Sequence, residues 1–219
     1  MNAPADSFEE EPVTPIWTLC LFLGFSMTDI LRTDAKYAAK PAKPVLTLLV
    51  RDLVGIDPTI RNVARAQAIG ILNSAGVELR WIDANGVEDP HLLSTTTKSY
   101  VTVVIFQQAP SGWASPDAMG FAPARTGPYP RAYVVTSLID AFLKNFTTQD
   151  TILDKSAFGI ILGHTIVHEL GHLVIPGSAH GYGIMRPHWG YREWQEAFEG
   201  SLLFDPSQAQ LLRQTLQSN

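Results

Sequence analysis

The chain has 219 residues, of which 46% are hydrophobic and 17% charged, and its formal net charge is −5. Such an apolar composition excludes a disordered protein, because the chain can bury enough apolar surface to offset its conformational entropy. No cluster of Lys and Arg stands out, so nucleic acid is not an expected partner. Cys20 is the only cysteine. Any metal site must therefore be built from His and carboxylate side chains.

The N-terminal region combines an apolar run with a polar linker. Residues 16–27 carry no charge and match the hydrophobic region of a signal peptide, but the run is too short to span a membrane, which takes about 20 residues. We therefore predict that residues 1–44 are a leader and linker, and that the protein is exported to the periplasm or the medium. The residues before the run are acidic, unlike those of a typical signal peptide. A cytoplasmic protein with a short N-terminal element packed on the domain is therefore the alternative.

Residues 45–219 are predicted to form one domain. Runs of β-branched and apolar residues predict four strands, at residues 45–51, 77–83, 100–107 and 131–136. Helical spacing predicts helices at residues 58–75, 137–146, 154–174, 191–199 and 206–216. Residues 110–130 contain five Pro and three Gly, which is typical of a functional loop. The order of these elements predicts an α/β domain.

The predicted helix at residues 154–174 is apolar on nearly every side. Because it also contains three His and one Glu, we interpret it as the buried central helix of a soluble domain, and we expect no stable membrane span there. Gly159, Gly163 and Gly171 share one stripe of this helix, which predicts a close approach to a sheet.

This helix carries the segment His168-Glu169-Leu170-Gly171-His172, an HExxH motif. Residues four apart lie on one helical face, so both imidazoles can reach one Zn²⁺ at about 2.0–2.1 Å. Glu169 is placed beside them as a general base that holds the attacking water. A buried Glu with two His is costly unless something satisfies these groups, and a metal ion would do so.

A catalytic zinc needs a third protein ligand, and His180 is the best candidate. Pro176 ends the helix and Gly177 permits a sharp reversal, so that His180 can return to the metal. His164 shares the helical face but is assigned a structural role. The alternatives for the third ligand are His188 and a carboxylate of the next helix, from Glu193, Glu196 or Glu199.

The segment HELGHLVIPGSAH, followed by GIMRP, resembles the metzincin zinc metallopeptidases, which have an HExxHxxGxxH segment and a downstream Met-turn. The resemblance implies that His168, His172 and His180 are the zinc ligands, with Glu169 as the general base. It also implies that Met185 is the methionine of the Met-turn. The motif glycine corresponds to Gly177. Between the second His and this glycine the family motif has two residues, whereas this chain has four.

The chain is also similar to uncharacterised, mostly exported bacterial proteins. The shared segments are AGVE-x-x-W at residues 75–81, GFA at residues 120–122 and GIMR-x-x-W at residues 183–189. These resemblances imply a metzincin-like (zincin) domain. Such a domain has a mixed, twisted sheet of about four strands, a central active-site helix and C-terminal helices.

The predicted function is zinc-dependent hydrolysis of peptide bonds in a peptide or protein substrate. Tyr182 and Tyr191 are candidate stabilisers of the oxyanion, because each lies close to Met185 in the sequence. One alternative is a zincin with a downstream Glu as third ligand. Another is a secreted zinc-binding protein without turnover. The sequence specifies neither the cleavage specificity nor the oligomeric state.

Overall fold

The computed structural model describes residues 42–85, 100–109, 117–123, 130–146, 155–177 and 180–218. The strands are β1 (Val45–Asp52), β2 (Glu78–Asp83), β3 (Tyr100–Phe106), β4 (Gly120–Phe121) and β5 (Arg131–Val135). The helices are α1 (Pro58–Ser74), α2 (Thr136–Lys144), α3 (Lys155–Val174), α4 (Tyr191–Phe198) and α5 (Pro206–Ser218), and a 3₁₀ turn spans Gly183–Met185. The predicted leader lies outside the described residues up to position 41.

The five strands form one mixed sheet in the order β2-β1-β3-β5-β4. All neighbouring pairs are parallel except β4, which runs antiparallel to β5 at the edge, with Gly120 opposite Val134. The interiors of β1 and β3 are buried on both faces, as expected for central strands of a parallel sheet. The α/β class is thus confirmed. The short strand β4 lies within the segment that the sequence indicated was a loop.

Helix α1 begins where the sequence predicts. The Asp57 carboxylate accepts a hydrogen bond from the backbone N–H of Thr59 at 2.8 Å, and Pro58 occupies the first turn, where no N–H is needed. Asp57 also forms a 2.6 Å ion pair with Lys155, the first residue of α3. The hydrogen bond from Lys155 is the main reason that the pKa of Asp57 is lowered to about 2.

Helix α3 is the central helix of the domain. Of its 20 residues, 14 are buried. By length and composition it could cross a membrane, but most of it is enclosed by the rest of the chain, as expected for a core helix. Its residue Ile161 shares one hydrophobic core with Leu48 and Val103 of the sheet and Ala64 of α1.

The prediction that the glycine stripe faces a sheet is wrong. A Cβ on Gly159 would lie 2.8 Å from the Ile60 carbonyl oxygen, and one on Gly163 would lie 2.6 Å from that of Ala64. Both glycines therefore face α1, because the two helices share one core and pack against each other there. Gly171 faces other partners, described below.

Candidate metal centre

Three imidazoles meet at the C-terminal end of α3. His168 and His172 lie on the last turns of the helix, and His180 follows the loop after it. One ring nitrogen from each lies within 4.8 Å of the others. The Nε2 atoms of His168 and His172 are 3.1 Å apart. Two nitrogens bound to one tetrahedral zinc at 2.0–2.1 Å would be roughly 3.3 Å apart, so these residues fit such an ion.

Two described residues between the helix and His180, Pro176 and Gly177, agree with the prediction. Helix α3 ends at Val174, two residues before Pro176. Gly177 adopts a φ of +63°, a conformation that residues with a Cβ rarely adopt. The chain therefore reverses direction at this glycine, and His180 lies with its ring centroid 4.8 Å from that of His172 and 5.5 Å from that of His168.

A main-chain carbonyl fixes the ring of His168. The Nδ1–H group of His168 donates a 2.6 Å hydrogen bond to the carbonyl oxygen of Ile184. This bond leaves the lone pair on Nε2, which is the atom that faces His172. An orienting bond of this kind is typical of metal-binding histidines, because it selects the tautomer and holds the ring. Burial lowers the pKa of His168 to about 4, which favours the neutral ring that a metal requires.

The Ile184 carbonyl belongs to the 3₁₀ turn, which packs directly under α3. Met185 is 1% exposed, and its sulfur occupies the space that a Cβ on Gly171 would need. On the other side, the Ile184 N–H donates a 2.8 Å hydrogen bond to the Leu203 carbonyl. The turn thus lies between the helix and the segment before α5. Met185 contacts α3 at Gly171, the residue before His172, and its assignment to a Met-turn stays a prediction.

Glu169 lies at the same end of α3 and is only 4% exposed. Burial raises the pKa of its carboxyl to about 8. Its carboxylate lies against the backbone of Gly120 in the edge strand β4. The site therefore lies between the central helix and the edge strand.

The carboxylates proposed as alternative third ligands have other partners. The Arg186 Nη1 atom is 2.7 Å from Glu193 Oε1 and 2.9 Å from Glu196 Oε2. The Glu199 carboxylate accepts a hydrogen bond from Gln195 at 2.9 Å. Among the described residues, the one group of three potential ligands contains His180 and no carboxylate. The geometry thus favours His180.

The two other candidate histidines are not part of this group. His164 is fully buried, and its Nδ1 is 2.8 Å from the Ile160 carbonyl of its own helix. Burial lowers the pKa of His164 to about 4, so it is a neutral residue of the core, in line with the structural role predicted for it. His188 is exposed.

The two candidate oxyanion stabilisers are exposed tyrosines. Tyr182 is 78% exposed. Tyr191 stacks on Trp194, with ring centroids 5.5 Å apart. In the part of the chain that the structure describes, the hydroxyl of neither tyrosine makes a hydrogen bond, and the oxyanion role stays a prediction.

Sequence reasoning missed three contacts of the site. Ile184 contributes only its carbonyl, which no side chain reveals. Gly120 was noted within a shared segment but received no role, since its contact with Glu169 is long-range. Trp189 lies in another shared segment and likewise received no role. Its ring meets that of His168 edge to face, at 5.7 Å between centroids and 86° between planes.

No protein-family model matches the chain. No curated protein matches its sequence either. Among solved structures, the chain is similar to archaemetzincin from Methanopyrus kandleri, known from a crystal structure at 1.5 Å resolution. The TM-score is 0.43 and the sequence identity 16%, over 82% of this chain and 99% of that chain. The chemistry of the site therefore rests on its own residues.

Proposed function

We propose that this chain is a zinc-dependent peptidase of the metzincin type, with His168, His172 and His180 as zinc ligands. The observation that carries the proposal is the convergence of these three imidazoles at the end of a buried helix, next to the buried carboxylate of Glu169. Three neutral nitrogen ligands leave one coordination position open for water or substrate, as in catalytic rather than structural zinc sites.

Each residue of the site has a separate role in the proposed hydrolysis. A bound zinc would supply Lewis acidity, which lowers the pKa of water and polarises a carbonyl group. The Glu169 carboxylate would accept the proton of the attacking water and then transfer it to the leaving amine. Its burial favours this role, because a base with a pKa raised toward neutrality can both take up and release a proton near pH 7. Ile184 holds His168 in the tautomer that binds metal.

Metal binding is tested on the full chain by measuring bound zinc and its dissociation constant. We expect one zinc per chain. His180→Ala is expected to weaken binding more than about 100-fold, since loss even of an outer orienting partner costs about 10–100-fold. His188→Ala is the matched control, because His188 is exposed and outside the triad. Absence of stoichiometric zinc would overturn the proposal, and unchanged affinity in His180→Ala would refute the third ligand.

Catalysis is tested with quenched fluorescent peptide libraries and denatured casein. We expect Glu169→Gln to lower kcat by about 10²–10⁴-fold while zinc stays bound, because the amide cannot accept the proton. Glu199→Gln is the control, since Glu199 is exposed and its carboxylate accepts a hydrogen bond from Gln195 of α4, outside the triad. Zinc binding without hydrolysis in the wild type would favour the zinc-binding protein without turnover.

Export of the protein is part of the same proposal, and its support is the apolar run at residues 16–27. Cell fractionation followed by mass measurement of the intact chain tests it. A chain outside the cytoplasm that has lost the apolar run at residues 16–27 is the expected result. A full-length chain in the cytoplasm would refute it.

A further inference from the structure

The edge strand β4 contributes a glycine to the proposed active site. Gly120 is the first residue of β4 and pairs with Val134 of β5. The strand is also anchored through the preceding residue, because the Met119 carbonyl accepts a 2.8 Å hydrogen bond from the Val135 N–H. The main chain at Gly120 is therefore held by the sheet.

The side chain of Glu169 lies directly against this glycine. A Cβ placed on Gly120 would lie 2.5 Å from Glu169 Oε1, 2.6 Å from Cγ and 2.8 Å from Cδ. Contacts this short do not occur in folded proteins, so no other amino acid fits at position 120 while Glu169 keeps its place. Gly120 is not among the glycines with a positive φ. The position therefore requires glycine for space and not for backbone conformation.

The Glu169 side chain that lies against Gly120 is buried. Within the described part of the chain, no donor is hydrogen-bonded to Glu169, although the residue is 4% exposed. His168 has an orienting hydrogen bond, whereas packing contacts position Glu169 among the described residues. Gly120 provides one such contact, because a Cβ at this position would clash with three successive atoms of the Glu169 side chain.

We propose that Gly120 is a positioning residue for Glu169. Because glycine has no side chain, it leaves space against β4 in which the Glu169 carboxylate lies. The inference rests on the proposed function, because it assigns a purpose to the position of the general base. It also assigns a role to the Gly-Phe-Ala segment at residues 120–122. A methyl group at position 120 would push the carboxylate away by about 1 Å, and a misplacement of that size costs about 100-fold in rate.

The kinetic test compares Gly120→Ala with Gly70→Ala. We expect Gly120→Ala to lower kcat by about 100-fold, with KM and zinc content nearly unchanged, because the zinc ligands are not displaced. Gly70 is the matched control, since a Cβ there meets no atom within 4 Å. Unchanged kcat in Gly120→Ala, or a loss that arises only from KM or zinc content, would overturn the positioning role.

A thermal unfolding cycle, measured with a chelator present, tests the contact without any need for activity. Overpacking at position 120 is expected to lower Tm by about 3–10 °C in the wild-type background. In a Glu169→Ala background the atoms that clash are absent, so Gly120→Ala is expected to cost little. An equal cost in both backgrounds, including failure of both proteins to fold, would refute the contact.

The two tests also separate this inference from the proposed function. If the wild-type protein hydrolyses no peptide but the unfolding cycle shows coupling, the proposed function fails while the contact stands. If the wild type is active and the cycle shows no coupling, the inference fails alone.

Discussion

Glu169 is a buried carboxyl group whose protonation state should control the stability of the metal-free protein. Burial raises its pKa to about 8, whereas the unfolded value is about 4.5. Between these values the unfolded chain releases a proton that the folded chain keeps. This group therefore makes the folded state lose stability as the pH rises from 4.5 to 8.

The variant Glu169→Gln should remove this loss. The measured quantity is the free energy of unfolding of the variant minus that of the wild type, with a chelator present. We expect this difference to be roughly 3–5 kcal/mol larger at pH 8 than at pH 5. Urea unfolding at both pH values measures it, with Glu199→Gln as control. A gain of the same size at both values would show that Glu169 ionises normally in the folded protein.

The residues of the site differ in how far the sequence reveals them. The sequence places His168, Glu169 and His172 on one turn, because the helix fixes their spacing. It also leads to His180 through Pro176 and Gly177, whose backbone preferences are local. The contact of Gly120 with Glu169 could not be predicted, since it depends on how the edge strand packs against α3. The role of the Ile184 carbonyl could not be predicted for a different reason. Every residue has a main-chain carbonyl, so the identity of the residue does not indicate that this one accepts a hydrogen bond.

At the scale of elements, ion pairs connect α4 to the residue that follows the 3₁₀ turn Gly183–Met185. Arg186 follows that turn directly and pairs with both Glu193 and Glu196 of α4. The three side chains are 20%, 10% and 22% exposed, respectively. Loss of the arginine would remove the ion pair of Glu193 and leave Glu196 with its pair to the exposed Arg192.

We expect Arg186→Gln to lower the free energy of unfolding by about 1–3 kcal/mol, because removal of one partner leaves charges unpaired in a partly desolvated place. Arg192→Gln is the matched control. Arg192 also contacts Glu196, at 2.8 Å, but its side chain is 72% exposed, and we expect a clearly smaller loss than for Arg186→Gln. Urea unfolding measures both, and equal losses would contradict a distinct role for Arg186.

The elements themselves illustrate what periodicity can and cannot predict. The long strands and helices were found because burial on a sheet or a core leaves a regular apolar pattern. Strand β4 was missed because two residues carry no pattern, and it lies among prolines and glycines. The glycine stripe of α3 was recognised, but its partner was not. A stripe of small residues allows close approach without specifying whether a sheet or α1 comes close.

For the whole molecule, zinc should stabilise one segment much more than the rest. His168 and His172 belong to the buried helix α3, which packs in the core through 14 buried residues. His180 is exposed and follows the reversal at Gly177, so an ion would tie this segment to the core. Binding to the folded state alone adds RT ln(1 + [Zn]/Kd), about 4 kcal/mol at 1,000 times Kd.

Chelation should therefore loosen the segment that contains His180 and leave the core unchanged. Amide hydrogen exchange is the suitable measurement, because it separates local opening from global unfolding. With a chelator, we expect faster exchange at residues 180–182 and unchanged exchange at residues 161–167 of α3. The variant His180→Ala should show the fast exchange with zinc present as well, since its segment has lost the ligand. If exchange in α3 also became faster, to the same extent, zinc would stabilise the whole fold. The site would then be a structural zinc site, and the core would not be stable without the ion.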